Sequence, residues 1–253
     1  MDSVFHFSQL DSTNLLLKQW MASKNDAKEE ETPANFTIVY ADFQTAGRGR
    51  QSNGWFSESG KNLLMSVLIY PHLPVDAQFH VSMQTALALS DYLRQNVGLS
   101  AVSVKWPNDI YVGDKKIAGI LIEHAIRARM ISHSIIGIGL NLNQEQFPDN
   151  LPNPTSVWLE CGKQTAIEES ALAIRSCLQR RMTTDAETNR KDYLEQLYLR
   201  DRTARFRVKE TGESFEGIIR GIDRFGRIII SRDQSDQCFE LNEIALARPI
   251  MTP

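Results

Sequence analysis

No stretch constrains the fold more than residues 62–70, NLLMSVLIY, which carry almost no polar side chain. A strand wetted on one face alternates apolar and polar residues, so a continuously apolar strand belongs inside a sheet covered on both sides. Residues 36–43, FTIVYADF, are rich in β-branched and aromatic side chains and read as a second strand. The eighteen residues between them, 44–61, show no periodicity. Loops of that length inside a compact domain are uncommon and usually functional, which makes this the first place to look for chemistry.

The remaining pattern mixes helices with strands. Residues 11–28 open with the capping types Asp11, Ser12 and Thr13 and place Leu15, Leu16, Trp20 and Met21 near helical spacing. After Pro74, Asp76 is placed to cap a helix whose core stripe is Phe79, Met83, Ala86, Leu87, Leu93 and Val97. Residues 101–105 alternate, with Val102 and Val104 towards the core and Lys105 leaning away, before Pro107 ends the strand. Gly113-Asp114 marks a hairpin between 110–112 and 116–123. In residues 136–143, IGIGLNLN, the branched side chains share one face, and the other is bare backbone ending in Asn141 and Asn143. Such a face lets a ligand approach the strand closely. Thr165 with Glu168 reads as a capping box for a helix to about Met182, followed by another over about 185–199. Beyond Arg202, short strand-like runs between turn signals predict a small β-barrel, dividing the chain into residues 1–202 and 203–253.

Composition excludes several classes. With 28 Lys plus Arg against 31 Asp plus Glu the net charge is -3, which argues against a nucleic-acid footprint. No stretch approaches the eighteen or so apolar residues of a membrane helix, and the N-terminus lacks a basic segment followed by an apolar one, so a cytoplasmic protein is expected. Cys161, Cys177 and Cys238 are odd in number and widely spaced, and the histidines show no ligand spacing. The cysteines read as mostly packing thiols, and no metal site is expected.

Two segments carry candidate chemistry. Gln44-Thr45-Ala46-Gly47-Arg48-Gly49-Arg50, followed by Trp55, sets two guanidinium forks between glycines, suited to phosphate or carboxylate oxygens. Lys105-Trp106-Pro107-Asn108-Asp109 places a cation on a non-core face before a stiff turn, where it can meet developing negative charge. Residues 54–61 do not have phosphate-loop spacing, and Gly137-Ile138-Gly139 lacks the third glycine of a dinucleotide fingerprint.

The ordered series Ser12-Thr13-Asn14, QTAGRGR with Trp55, KWPNDI, KIAGILIE at 116–123 and GIGLNLN closely resembles biotin protein ligases over about residues 8–160, and the terminal segment resembles their small SH3-like domain. After Arg50, where many relatives read Arg-Gly-Arg, this chain has Gln51-Ser52-Asn53. No helix-turn-helix segment precedes the first motif, so the resemblance is to single-function ligases that bind no DNA. It implies an α+β fold, a mixed sheet like that of class II aminoacyl-tRNA synthetases with helices on one side, and a reaction in two steps. Biotin and MgATP give biotinyl-5'-AMP and pyrophosphate, and the adenylate then acylates one lysine of a biotin carboxyl carrier protein. By resemblance Ser12, Thr13, Gln44, Gly47 and Arg48 line the biotin site with Asn14 among the ligand-binding residues, Arg48 and Arg50 close over carboxylate and phosphate, and Lys105 bridges them. Trp55 and Asn108 belong to the same ligand site, Gly119 and Ile120 pack on the ligand, and Asn141 meets adenine. A lipoate ligase of the same fold and a nucleic-acid-binding module are the alternative readings, and a homodimer is left open.

Overall fold

The computed structural model describes residues 4–23, 32–49 and 54–249. Strands β1 (Val4–Leu10), β2 (Thr37–Gln44), β3 (Leu63–Ile69), β4 (Val102–Lys105), β5 (Asp109–Val112), β6 (Lys115–Arg127) and β7 (Met130–Leu140) form a mixed sheet in the order β1-β2-β3-β7-β6-β5-β4. Only β1 and β2 run parallel. The apolar run is β3, between β2 and β7, and every residue of it is buried. Helices α1 (Thr13–Ala22), α2 (Gln78–Asp91), α3 (Val157–Cys161), α4 (Ile167–Thr183) and α5 (Ala186–Glu195) complete this part.

The helices do not all lie on one side. The stripe of α2, with Ile174 and Leu178 of α4, joins Ile38, Met65, Val67, Ile136 and Ile138 in the main core. On the opposite face Leu17 of α1 packs with Val39, Leu68 and Ile135. Alternation along the strands assigns those two residue sets to opposite faces.

Strands β8 (Thr203–Val208), β9 (Ser214–Ile222), β10 (Ile228–Arg232), β11 (Ser235–Phe239) and β12 (Ile244–Pro249) form a second, antiparallel sheet in the order β11-β10-β9-β8-β12. It is open rather than a closed barrel, because β11 and β12 end the order. Its inward residues Phe206, Phe215, Ile219, Ile228 and Ile230 belong to the same hydrophobic cluster as α2 and the first sheet. Trp106 donates from Nε1 to the Gly226 carbonyl at 2.9 Å, and Arg190 of α5 donates to the Ile222 carbonyl at 2.6 Å.

Several local expectations give way to tertiary bonds. Asp76 sits in a 3₁₀ turn, Val75–Ala77, and α2 starts after Ala77 without a side-chain cap. Thr165 is held by both polar atoms of Asn143, so Ala166 takes the cap position of α4. The second helix of that region stops at Glu195, because the chain turns to pair Leu197 with Val104. Strand β1, helix α3 and the hairpin joining β6 to β7 through Ala128 and Arg129 were not legible in the pattern. Of the cysteines only Cys177 is buried; Cys161 and Cys238 are exposed.

Candidate active site

Helix α1 covers only part of its face of the sheet, and the remainder is where glycines concentrate. At Gly137 an added Cβ would stand 2.6 Å from Asn14 Oδ1, at the start of α1. At Gly139 and Gly119 it would stand 2.4 and 2.9 Å from the Trp55 indole. The bare face is therefore met by side chains of this chain, and together they wall a cavity of about 190 Å³.

One end of the cavity is neutral and hydrogen-bonding. Ser12, Thr13, Asn14 and Gln44 line it. Gln44 Oε1 accepts from the Thr13 backbone N–H at 2.8 Å, and Ser66 Oγ lies 2.7 Å from Thr13 Oγ1 and 2.5 Å from Asn14 Oδ1. Asn14 Nδ2 donates to Glu123 Oε2 at 2.9 Å, and Glu123 Oε1 is held by Lys18. Gly47 allows close approach of the returning loop, whose Trp55 N–H donates to the Gly47 carbonyl at 3.1 Å; a Cβ there would lie 3.2 Å from Trp55 O.

The other end is charged. Asp109 Oδ1 pairs with Lys116 Nζ at 2.7 Å, and Asp109 Oδ2 lies 3.7 Å from Lys105 Nζ. Lys116 also sits 5.5 Å from the Trp55 ring centroid, within cation–π range. Arg48 and Asn108 line the cavity as well; Asn108 Nδ2 donates to the Ile120 carbonyl at 2.7 Å, fixing the turn to β6. The base of the loop is anchored by buried Asn62, whose Nδ2 donates to Ser57 Oγ at 3.0 Å and to Gln144 Oε1 at 2.5 Å.

Ser12, Thr13, Asn14, Gln44, Arg48, Trp55, Asn108, Gly119 and Ile120 are thus brought to one cavity, with Gly47 adjoining it. Lys105 is not among its lining residues. It stands beyond Asp109, in an adjoining cavity of about 330 Å³ shared with the second sheet. Asn141 is 4% exposed and turns its Nδ2 to the Thr155 carbonyl at 2.8 Å, away from this cavity. Arg50, like Gln51, Ser52 and Asn53, lies outside the described residues.

Lys116 and Asp109 also line the cavity, and the sequence pattern does not single them out. Strict alternation puts Lys116 on the face of Ala118 and Ile120, which are buried in the core. A bulge intervenes: Ile110 pairs with Ala118 but Tyr111 pairs with Lys116, so one residue of β6 is skipped. The extra residue turns Lys116 to the face of Gly119, where its Nζ would lie 3.4 Å from an added Cβ. Among the described residues no cluster of three or more His, Cys, Asp or Glu side chains could hold a metal ion. Asp109, a carboxylate of this cavity, is engaged by two lysines.

Residues 8–141 match the model of the biotin/lipoate A/B protein ligase family. The bifunctional ligase/repressor BirA of Bacillus subtilis is 39% identical over 117 residues, covering 46% of this chain and 36% of that protein. The chain matches about a third of that relative's length. A biotin–[acetyl-CoA-carboxylase] ligase of Mycobacterium tuberculosis is 31% identical over 47% of this chain and 44% of its own length. The solved biotin protein ligase of Aquifex aeolicus in complex with biotin and ATP superposes with a TM-score of 0.78 at 22% identity, over 98% of this chain and all of that one.

Proposed function

This chain belongs to the biotin/lipoate A/B protein ligase family, and from that premise we propose that it activates biotin with MgATP and transfers it to a lysine of a biotin carboxyl carrier protein. The observation that carries this reading is one cavity with a neutral hydrogen-bonding end at Thr13, Asn14 and Gln44 and a cationic end at Lys116. A ureido ring suits the first, having N–H donors and a carbonyl acceptor, and a carboxylate reacting with a phosphate suits the second. Two relatives are named as biotin–[acetyl-CoA-carboxylase] ligases, which favours biotin over lipoate. Residues 1–202 would hold both reactants and 203–253 would assist nucleotide use and carrier docking. The reaction would take place in the cytoplasm.

In the first step a biotin carboxylate oxygen forms a bond to the α-phosphorus, and the bond from that phosphorus to the β-phosphate oxygen breaks to release pyrophosphate. Both reactants are anions, so the chain's task is to neutralise charge without supplying a nucleophile. Lys116, inside the cavity, takes the bridging role that the resemblance gives to Lys105, and Asp109 fixes its ammonium. Arg48 reaches the same oxygens from the loop. Lys105, one strand farther, supports Asp109 from the adjoining cavity. In the second step the carrier amine attacks the acyl carbon and AMP leaves. Magnesium arrives with the triphosphate as part of the substrate.

Biotin-dependent exchange of labelled pyrophosphate into ATP tests this reading. Exchange with biotin but not lipoate supports it, and exchange with lipoate alone overturns it. No helix of the described residues is long and apolar enough to cross a membrane.

A further inference from the structure

Resting on the biotin reading, we infer that Glu123, which is not among the lining residues of the cavity, is a positioning residue that fixes the hydrogen-bond direction of the ligand-binding end through Asn14. Ser66 has one hydroxyl proton and two oxygens within reach, Thr13 Oγ1 at 2.7 Å and Asn14 Oδ1 at 2.5 Å. Which of them receives it depends on which way the Asn14 amide faces, because its oxygen only accepts and its nitrogen only donates. An ionised carboxylate is acceptor-only, so Glu123 Oε2, at 2.9 Å, requires Nδ2 on its side. Asn14 Oδ1 is then turned to Ser66 and takes its proton. The 2.7 Å contact between Thr13 and Ser66 is left for the Thr13 proton, for which Gln44 Oε1, at 3.1 Å, is the more distant acceptor.

The result is a one-way series of donors, from Thr13 to Ser66 to Asn14 to Glu123, running out of the cavity. Thr13 then offers the cavity lone pairs, which suit a ligand N–H. Gln44 Oε1 faces Thr13, 2.8 Å from its backbone N–H donor and 3.1 Å from its hydroxyl, so Nε2 is left to donate to a ligand carbonyl. Lys18 holds the other Glu123 oxygen as an ion pair. A glutamine at residue 123 could face Asn14 with either atom, leaving only the longer 3.4 Å contact from Asn14 Nδ2 to the Leu121 carbonyl to hold the amide, so the direction of the series would be less firmly fixed.

The test compares Glu123→Gln, Asn14→Asp and the double variant in biotin-dependent pyrophosphate exchange, with biotin and ATP KM values, kcat and thermal melting for each. Glu123→Gln is expected to raise the biotin KM roughly ten- to a hundredfold, leaving ATP KM, kcat and melting near those of the parent. The double variant should recover most of the biotin KM, because a carboxylate at residue 14 accepts from both Ser66 and the new amide and lies one helical turn from Lys18. An unchanged biotin KM in Glu123→Gln overturns the inference, as does a double variant no better than the worse single one. Equal loss of all parameters with lower melting would make Glu123 merely structural and overturn it too. Should Glu123→Gln not fold, Ser66→Ala breaks the series at a buried small residue, and an unchanged biotin KM there is equally fatal. If the parent shows no biotin-dependent exchange, the functional reading itself fails and the inference falls with it; if the parent exchanges normally, any failure belongs to Glu123 alone.

Discussion

Trp55 lies directly over the Gly139 backbone, so closely that a methyl group at residue 139 would stand 2.4 Å from indole Cε2. Real Cβ atoms do not come that near another heavy atom, so Gly139→Ala must push the indole off the sheet. Trp55 Nε1 is buried without a partner among the described residues, and no hydrogen bond there resists the shift. Overpacking of this kind costs about 1–3 kcal/mol. The variant should fold and bind biotin roughly five- to a hundredfold more weakly by titration calorimetry. Parent-like affinity would mean that Trp55 does not shape the ligand end.

The two lysines around Asp109 separate cleanly. Lys116→Ala should lower the rate of adenylate formation by about a hundred- to a thousandfold, the usual effect of removing a charge-assisted contact made in the transition state. Lys105, 3.7 Å from Asp109 and partly exposed, makes a pair of the kind worth about 0–1 kcal/mol, so Lys105→Ala should lose no more than about fivefold. Single-turnover formation of the adenylate measures both. The reverse ranking would return the bridging role to Lys105.

The placement of these two lysines shows where the sequence is informative and where it is not. The burial of β3, the stripe of α2 and the hairpin at Gly113 follow from periodicity and turn chemistry, which are local. The ligand-site motifs around Thr13, Gln44 and Arg48 are legible because their residue types and order are distinctive. Lys116 is hidden because a single bulge in β6 reverses which face it occupies, and nothing in KKIAG marks the skipped residue. Asn141 is placed differently from its pattern for the opposite reason. Its period-2 position puts it on the glycine face, but β7 ends at Leu140 and the amide beyond turns to Thr155. The caps expected from Asp76 and Thr165 fail for a similar reason, since long-range bonds claim the neighbouring backbone.

Acid should weaken the fold through His124. Burial lowers its pKa below the ordinary histidine value, and Nδ1 lies 2.7 Å from Ser134 Oγ, a partner satisfied by the neutral ring. Between the folded and unfolded values the unfolded chain binds more protons, so stability falls as pH drops below about 6.5. His133 is shifted in the same direction by the same cause. Urea titrations from pH 7.5 to 5 should show a shallower decline in His124→Gln than in the parent. An identical slope would exclude His124 as a source of the acid sensitivity.

The sharpest structural constraint joins the two sheets. Gly226 adopts φ +87°, and an added Cβ would stand 2.1 Å from Phe79 Cγ, on the buried stripe of α2. Its carbonyl also accepts the Trp106 indole N–H. A non-glycine residue in left-handed geometry costs about 1–2 kcal/mol, and forcing a methyl into a packed contact adds about 1–3 kcal/mol. Gly226→Ala should therefore lower Tm by an amount on the order of 10 °C. Gly113→Ala supplies the comparison, because φ is +56° there but nothing lies within 4 Å of the added carbon. It should pay the backbone strain alone and melt between the parent and Gly226→Ala. Because Phe79 and the inward residues of the second sheet share one hydrophobic cluster, both sheets should melt in a single transition in the parent. A parent-like Tm for Gly226→Ala would show that the second sheet is not held against α2 through this contact.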